Sequence, residues 1–501
     1  MTLKNMLDIV TEYSGFEHHC LFNTDGAIKF IEDVKNNASS KVLIDLDYDP
    51  DGVLAGVKFY ETLLDLGITN VDVYIPESKR HGVDDGTISK LREGYTHLII
   101  VDSSTNSMTS LREISNLGVK VLLVDHHTPE FAMEDYPENV TIVNNKMSIK
   151  DSPVKELSAG FMSYLITTDI RKHFGLGRDK SHYVYGYITL ISDVCELSTD
   201  YIKPIILDIR KYEPYIPRPV RLFMGNYDEL NRSFVSYKFV NKINSLCRSN
   251  RPDLLIKLFF ELDKMECEEI QKLYNEIQDV YSIVSDKVAR FSEQLHPFVE
   301  EIGSFILVDM SKAVSKTTLS NDYLINATGQ FANNLSKHYN KPCICVMPMN
   351  RFTYKCSGRD CTGSIDLFEL GQRFNLGGGG HKGSYGFTLP RYDLDELRML
   401  LGTVSLTTNH DFAIDCDALS YVEFKHLVSQ VAMYNEVSGD KLCKLRLKRT
   451  INSAFTMRDI GKLRIFSMRD IELKDFKQTA KLGDVVELEP VYSRKPYCII
   501  Q

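Results

Sequence analysis

The chain of 501 residues contains no tryptophan, and no run approaches the roughly 18 consecutive apolar residues that a membrane-spanning helix needs. A membrane-spanning helix is therefore not expected. Its opening, MTLKNMLDIV, lacks the basic segment and apolar stretch of a secretory leader. The eleven cysteines are odd in number and scattered, which excludes a disulfide framework and points to reduced thiols in a cytoplasmic protein. Cys343 and Cys345, spaced C-x-C, read as strand core. Positive charge is in short supply: 59 Lys and Arg stand against 68 Asp and Glu, a formal net charge of −9. That balance excludes a protein that coats nucleic acid by bulk charge alone. It leaves open an enzyme whose site is itself a cluster of carboxylates. No internal repeat or low-complexity tract is visible.

What is present is ordinary globular composition, 43% hydrophobic and 25% charged, in a length that suggests about three domains. Short β-rich runs at 42–46, 71–75, 98–102 and 121–125 alternate with helical patterns at 53–66, 88–92 and 110–116. Near-continuous apolar strands separated by helices predict a parallel sheet covered on both faces. Ligands of such sheets bind beyond the carboxyl ends of the strands, where the acidic residues collect. A charged stretch over 254–296, free of Gly and Pro, has apolar residues at helical spacing and predicts one or two long helices. A second α/β block follows at 303–389, and the turn-rich segment after Leu442 suggests a small β domain. The expected division is 1–200, 201–300, 301–395 and 396–501.

The densest chemical signal is DLDYDPDG, with Asp45, Asp47, Asp49 and Asp51 at spacing two. On an extended strand and its exit loop such residues share one side. Like charges held together need a cation, and hard oxygen donors suit Mg²⁺ or Mn²⁺. An EF-hand Ca²⁺ loop is disfavoured because Lys58 falls where its final Glu belongs. Further strand ends carry Asp102 and the triplet Asp125-His126-His127, whose imidazoles shift the preference toward Mn²⁺. Asp193 follows another apolar helical run.

Jointly, D-x-D-x-D-G, the strand-end Asp102, D-H-H, S-D-V-x-E-L at 192–197 and the glycine run 377–380 with His381 resemble the DHH phosphoesterase superfamily with its DHHA1 domain. Within it the chain is most similar to the RecJ-type single-strand-specific exonucleases. The resemblance spans about residues 40–390, with 143–144 and 157–160 agreeing as well. It implies an α/β fold: a parallel-sheet DHH domain joined by long helices to an α/β DHHA1 domain, and a small β-rich C-terminal domain of the oligonucleotide-binding type. It also implies two divalent ions, Mn²⁺ or Mg²⁺, on Asp47, Asp49, Asp51, Asp102, His126 and Asp193, with Asp102 as the bridge. His127 would face the scissile phosphate. Ser357, Gly358 and Arg359, and Gly378, Gly379 and Gly380 with His381, match the substrate-clamping segments. Arg359 can hold phosphate bidentately, and glycines let backbone N–H groups approach an anion. Arg80 falls in a loop, IPESKRHGVDDG, that departs from the family's phosphate-contact spelling. Tyr385 replaces a small residue and is expected to narrow the substrate path or stack on a base. Asp45 has no family counterpart and reads as an extra ligand or a supporting acid.

The expected activity is two-metal hydrolysis of single-stranded DNA, with 5′→3′ polarity by resemblance. RNA oligonucleotides form a second substrate class, and single-strand-binding, replication or recombination proteins are the expected partners. Two alternatives stay open: a phosphodiesterase of short oligonucleotides or cyclic dinucleotides, and an inactive scaffold. From Lys441 to Lys481 the chain carries twelve Lys or Arg against four acids. Lys444, Arg446 and Lys448 would share one strand face over Leu445 and Leu447, as a nucleic-acid groove. Phe455, Phe466 and Phe476 read as core residues or as stacking platforms.

Overall fold

Alternation of buried apolar strands with amphipathic helices builds the first half of the chain. The computed structural model describes residues 16–76, 82–147, 152, 154–226, 228–381, 383–404, 412–438, 445–460, 463–493 and 497–501. Strands β1 (Val42–Leu46), β2 (Val71–Tyr74), β3 (His97–Val101), β4 (Lys120–Asp125) and β5 (Val140–Asn144) form one sheet in the order β2-β1-β3-β4-β5. Every pairing in it is parallel. β1 and β3 are buried at all five positions, as a sheet covered on both faces requires. The connecting helices are α1 (Thr24–Asn36) before β1, α2 (Pro50–Asp65), α3 (Asp85–Leu91) and α4 (Met108–Asn116), followed by α5 (Ala159–His173) and α6 (Lys180–Ser192). Leu98, Ile100, Leu111, Ile114, Val121 and Leu123 belong to one buried cluster of this layer.

This strand order reverses direction between β1 and β3. The chain leaves β1 for β2 on one side and returns past β1 to place β3 on the other. The loops after β1 and β3 therefore diverge and leave a crevice at their carboxyl ends. Asp47, Asp49, Asp51 and Asp102 all lie in these two exits.

Short helices lie between residues 203 and 264, and the expected long helix is α7 (Cys267–Leu295), preceded by a π-helical turn (Lys257–Glu261) and a 3₁₀ turn (Leu262–Lys264) rather than continuous with them. The described residues fall into two compact units that divide within α7, after Tyr281. The second unit contains a six-stranded sheet of β6 (Val299–Ile302), β7 (Phe305–Asp309), β8 (Cys343–Pro348), β9 (Thr353–Arg359), β10 (Gly378–His381) and β11 (Ser384–Pro390), in the order β10-β11-β9-β8-β7-β6. Cys343 and Cys345 are fully buried on β8. Helix α8 (Thr328–Tyr339) packs on β8 and β9.

The C-terminal strands are β12 (Phe412–Asp415), β13 (Leu445–Thr450), β14 (Thr456–Ile460), β15 (Leu463–Met468), β16 (Ile471–Asp475), β17 (Val485–Val491) and β18 (Tyr497–Ile500). β13 pairs with β17, while β14, next along the chain, pairs with β15. Taken as two halves of one bent strand, β13 and β14 join both ends of the run β15-β16-β18-β17. This is the connectivity of a five-stranded Greek-key barrel of the oligonucleotide-binding type, with its parallel pair at β16 and β18. Phe455 and Phe466 are core, whereas Phe476 is exposed.

Helix α9 (Tyr421–Ser438) is clamped to β13 by the Asn435 amide, in addition to the contacts of Tyr421 and Lys425 with Asp470. Asn435 Nδ2 donates to Leu445 O at 2.9 Å, and Leu445 N donates to Asn435 Oδ1 at 3.0 Å. Both bonds are buried, so Asn435→Ala strands a backbone donor and acceptor. The expected cost is about 2 kcal/mol, read as a lower denaturant midpoint; an unchanged midpoint would mean that the clamp contributes nothing.

Candidate metal centre

Local geometry bends the acidic run away from a single strand face. β1 ends at Leu46, and Asp49 caps the next helix, its Oδ1 accepting from Asp51 N at 3.0 Å and Gly52 N at 3.2 Å. Pro50 begins α2 with its φ already helical. Gly52 is required here, because a Cβ would lie 2.6 Å from Asp47 O. Asp47 thus stays in the loop while Asp51 enters the first turn of α2. The second departure is Asp45, which is not with the others: Thr87 Oγ1 donates to its Oδ2 at 2.8 Å. Burial pushes its carboxyl up to about 8, so it serves as a supporting acid.

Asp51 Oδ1 accepts from Gly160 N at 3.0 Å and its Oδ2 from Ala159 N at 2.9 Å, at the start of α5. A side chain at position 160 would meet Asp51 Oδ1 at 2.7 Å and Thr189 Cγ2 at 2.4 Å. The glycine therefore sets how closely α5 approaches the acid. Asp193 caps the end of α6.

These elements bring together two groups whose ligand atoms lie within 4.8 Å of one another: Asp47, Asp49 and Asp102, and Asp51, His126 and Asp193. His126 links them, its Nε2 3.2 Å from Asp102 Oδ1 and its Nδ1 3.7 Å from Asp193 Oδ2. All six expected ligands are thus in one place. Burial first, then Asp51, Asp49 and Asp47, push the Asp102 carboxyl well above the usual carboxylate range. Burial and Asp193 raise Asp51 to about 7. Burial works to lower His126, but Asp193, Asp51 and Asp125 outweigh it and hold the imidazole above its ordinary value. Asp102 also has φ +63, a left-handed conformation that costs a non-glycine residue about 1 kcal/mol or more.

The donor set fits a divalent cation. Asp102 Oδ1 is buried and makes no hydrogen bond, although the His126 ring is near it. Crowded carboxylates with one imidazole are the ligands that Mg²⁺ and Mn²⁺ prefer.

Asp125 has a different task, which the sequence pattern did not separate from ligation. Its Oδ1 accepts from His126 N at 2.8 Å, His127 N at 3.2 Å and His127 Nδ1 at 2.7 Å, while its Oδ2 accepts from Thr105 N. Burial opposes the charge of Asp125, but His127 wins and holds it well below the usual range. In return His127 is raised to about 9 against the opposing effect of its burial. Its side chain is 45% exposed, so a substrate can reach it. Asn144 Nδ2 donates to His127 O at 2.9 Å and fixes the loop.

The other expected residues lie in the second unit or outside the described residues. Arg80 and Lys444 fall outside them. Ser357 Oγ and Thr328 Oγ1 are hydrogen-bonded at 2.7 Å, and Arg359 Nη1 donates to Gly358 O at 2.7 Å. Gly378, Gly379 and Gly380 form strand β10 with His381, the end strand of its sheet, rather than an open turn. Tyr385 corrects an expectation: it is only 3% exposed and packs in the core with Phe387, its ring against Gly371. It is not available to stack on a base. Leu445 and Leu447 are buried as expected, but Arg446 and Lys448 both reach Glu487, at 3.4 and 3.7 Å.

Residues 41–179 match the model of the DHH family, N-terminal domain. The exonuclease RecJ of Bacillus subtilis is 24% identical over 238 residues, 46% of this chain and 29% of that protein. RecJ of Haemophilus influenzae is 26% identical over 179 residues, 34% and 28% of the two chains. The crystal structure of RecJ with Mn²⁺ from Thermus thermophilus superposes with a TM-score of 0.70 at 17% identity, covering 98% of this chain and 72% of that one. Residues 41–179 carry a DHH-family N-terminal domain, and the chain has a RecJ-like fold. It spans less than a third of the length of the curated relatives it matches. Among the described residues, no helix is long and apolar enough to cross a membrane.

Within this cluster Asp102 is strongly opposed in its charged form, by burial and by three neighbouring carboxylates. Asn keeps its shape and tolerates the left-handed backbone. Asp102→Asn should therefore melt no lower than wild type in chelator, while losing most of the stabilisation that saturating Mn²⁺ gives. Full retention of that Mn²⁺-induced shift would remove Asp102 from the ligand set.

Proposed function

We propose that the chain is a divalent-metal-dependent phosphodiesterase that degrades single-stranded DNA from the 5′ end, with RNA oligonucleotides as a secondary substrate. The observation that carries this reading is the convergence of two ligand groups on His126 and Asp102 at the point where the sheet reverses direction. Asp47, Asp49 and Asp102 would hold one ion, and Asp51, His126 and Asp193 a second, with Asp102 between them. When bound, such ions supply Lewis-acid polarisation of a phosphoryl oxygen and a lowered pKa for the attacking water.

The chain's own residues do the rest. Asp125 orients His127 through Nδ1, so that the imidazole offsets charge developing on the phosphate. Asp49 and the α5 amides at Ala159 and Gly160 keep the loop carboxylates in register. In the second unit, Arg359, Ser357, Gly358 and the edge strand of Gly378, Gly379, Gly380 and His381 would grip the substrate backbone. Arg80 would add a contact from the DHH domain. The expected four-part division fits this scheme, with 396–501 binding the strand through Lys444, Arg446 and Lys448. The relatives' names, single-stranded-DNA-specific exonuclease, agree with it. Replication or recombination proteins and a cytoplasmic setting complete the proposal.

The deciding experiment offers 5′-labelled single-stranded DNA, its duplex and a dinucleotide to the protein with Mn²⁺. Rapid release of labelled mononucleotide from the single strand, with the duplex spared and Asp102→Asn inert, is the expected outcome. Preference for the dinucleotide would replace this reading with a short-oligonucleotide phosphodiesterase.

Glu487 gives an independent check on the barrel. Because it neutralises part of the Arg446 and Lys448 charge, Glu487→Gln should tighten single-strand binding and steepen its salt dependence. Each further phosphate that the protein neutralises changes the slope by about 0.7. A slope unchanged in Glu487→Gln and in Arg446→Gln would exclude this face from DNA binding.

A further inference from the structure

A second cluster of ligand-type side chains lies in the first unit, apart from the carboxylate centre. His18, Cys20 and Asp169 each offer a ligand atom within 4.8 Å of the others. His18 and Cys20 belong to the strap that precedes α1. Asp169 is on α5, nine residues beyond the Gly160 amide that binds Asp51, which places it roughly 13 Å away along the helix.

The strap is held at α5 by packing that owes nothing to these polar groups. The Phe16 ring meets Phe161 and Tyr183 edge-on, at 5.8 and 5.5 Å between centroids, and Leu21 is buried. His18 Nε2 then lies 2.8 Å from Asp169 Oδ1. The remaining polar atoms of that pair, His18 Nδ1 and Asp169 Oδ2, are buried without any hydrogen-bond partner. An ordinary ion pair would leave them in water, since buried polar atoms are normally satisfied. Beside them stands the exposed thiol of Cys20. A thiol, an imidazole and a carboxylate are a zinc donor set, whereas Mg²⁺ and Mn²⁺ prefer oxygen.

We propose that His18, Cys20 and Asp169 bind a zinc ion that pins the N-terminal strap to helix α5. Binding transfers the Cys20 proton to solvent and leaves thiolate, imidazole nitrogen and carboxylate oxygen as three protein ligands, with water completing a tetrahedral shell. Desolvation and the Asp169 carboxylate raise the Cys20 thiol above its ordinary range, so proton release on uptake is expected.

Cobalt provides a probe, because only a thiolate ligand gives an intense near-ultraviolet charge-transfer band. The full-length protein, stripped with chelator and kept in excess Mg²⁺ to occupy the carboxylate centre, is titrated with Co²⁺. The band should saturate at one ion per chain and bleach on addition of Zn²⁺. Cys20→Ser, at an exposed position, should abolish it without changing the melting temperature in chelator. His18→Gln and Asp169→Asn should weaken Co²⁺ binding by more than about tenfold, by the scale of metal-site substitutions. Cys267→Ser, which alters the other exposed cysteine described, should leave the band intact. No band in the wild-type protein, or a band that persists in Cys20→Ser, overturns the proposal.

Discussion

Mutual repulsion of buried carboxylates is the constraint on which the first unit depends. Asp47, Asp51 and Asp102 are each almost fully buried, in a place where two strand exits and two helix ends must meet. Backbone amides restrain this acidic run: the start of α2 for Asp49, and the start of α5 for Asp51. Helix N-termini suit this task, since their unpaired N–H groups and dipole favour negative charge. What the amides leave unsatisfied, Asp102 Oδ1 above all, defines where a cation belongs.

The doubled histidine divides its work along the same lines. His126 turns inward between Asp102 and Asp193. His127, one residue on, is directed by the fully buried Asp125 and remains partly exposed. Adjacent residues of one type thus acquire different roles, because the His127 ring is bound by Asp125 while the His126 ring reaches Asp102 and Asp193. Asp125 resembles a ligand in sequence, yet its oxygens are already occupied by Thr105 and by the two histidines.

In the second unit the same economy of backbone pairing changes the role of the glycines. Gly378 pairs with Phe387 across β11, and a Cβ at Gly378 would come within 2.3 Å of Gly386 O. At Gly378 the neighbouring strand leaves no room for a side chain, whereas a Cβ at Gly379 would meet open space. Three of the four residues of this end strand carry no side chain.

The sequence by itself determined the alternation of strand and helix, the parallel sheet, the metal-ligand chemistry of the acidic run and the buried leucines of the barrel. Each of these rests on local periodicity or on donor type, which a linear chain carries in full. Tertiary structure alone decided four matters. It separated Asp45 from the other carboxylates, because helix α3 presents Thr87 to it. It made Asp125 an orienting residue by surrounding it with donors. It buried Tyr385 against Gly371, a contact between segments that spacing cannot reveal. It also set Glu487 opposite Arg446 and Lys448, tempering a face that looks purely basic when only its own strand is read. Apart from the two histidines beside Asp125, which the turn after β4 aims at it, these outcomes depend on partners distant in sequence, and charge or burial at one position is set by which residue the fold brings to it.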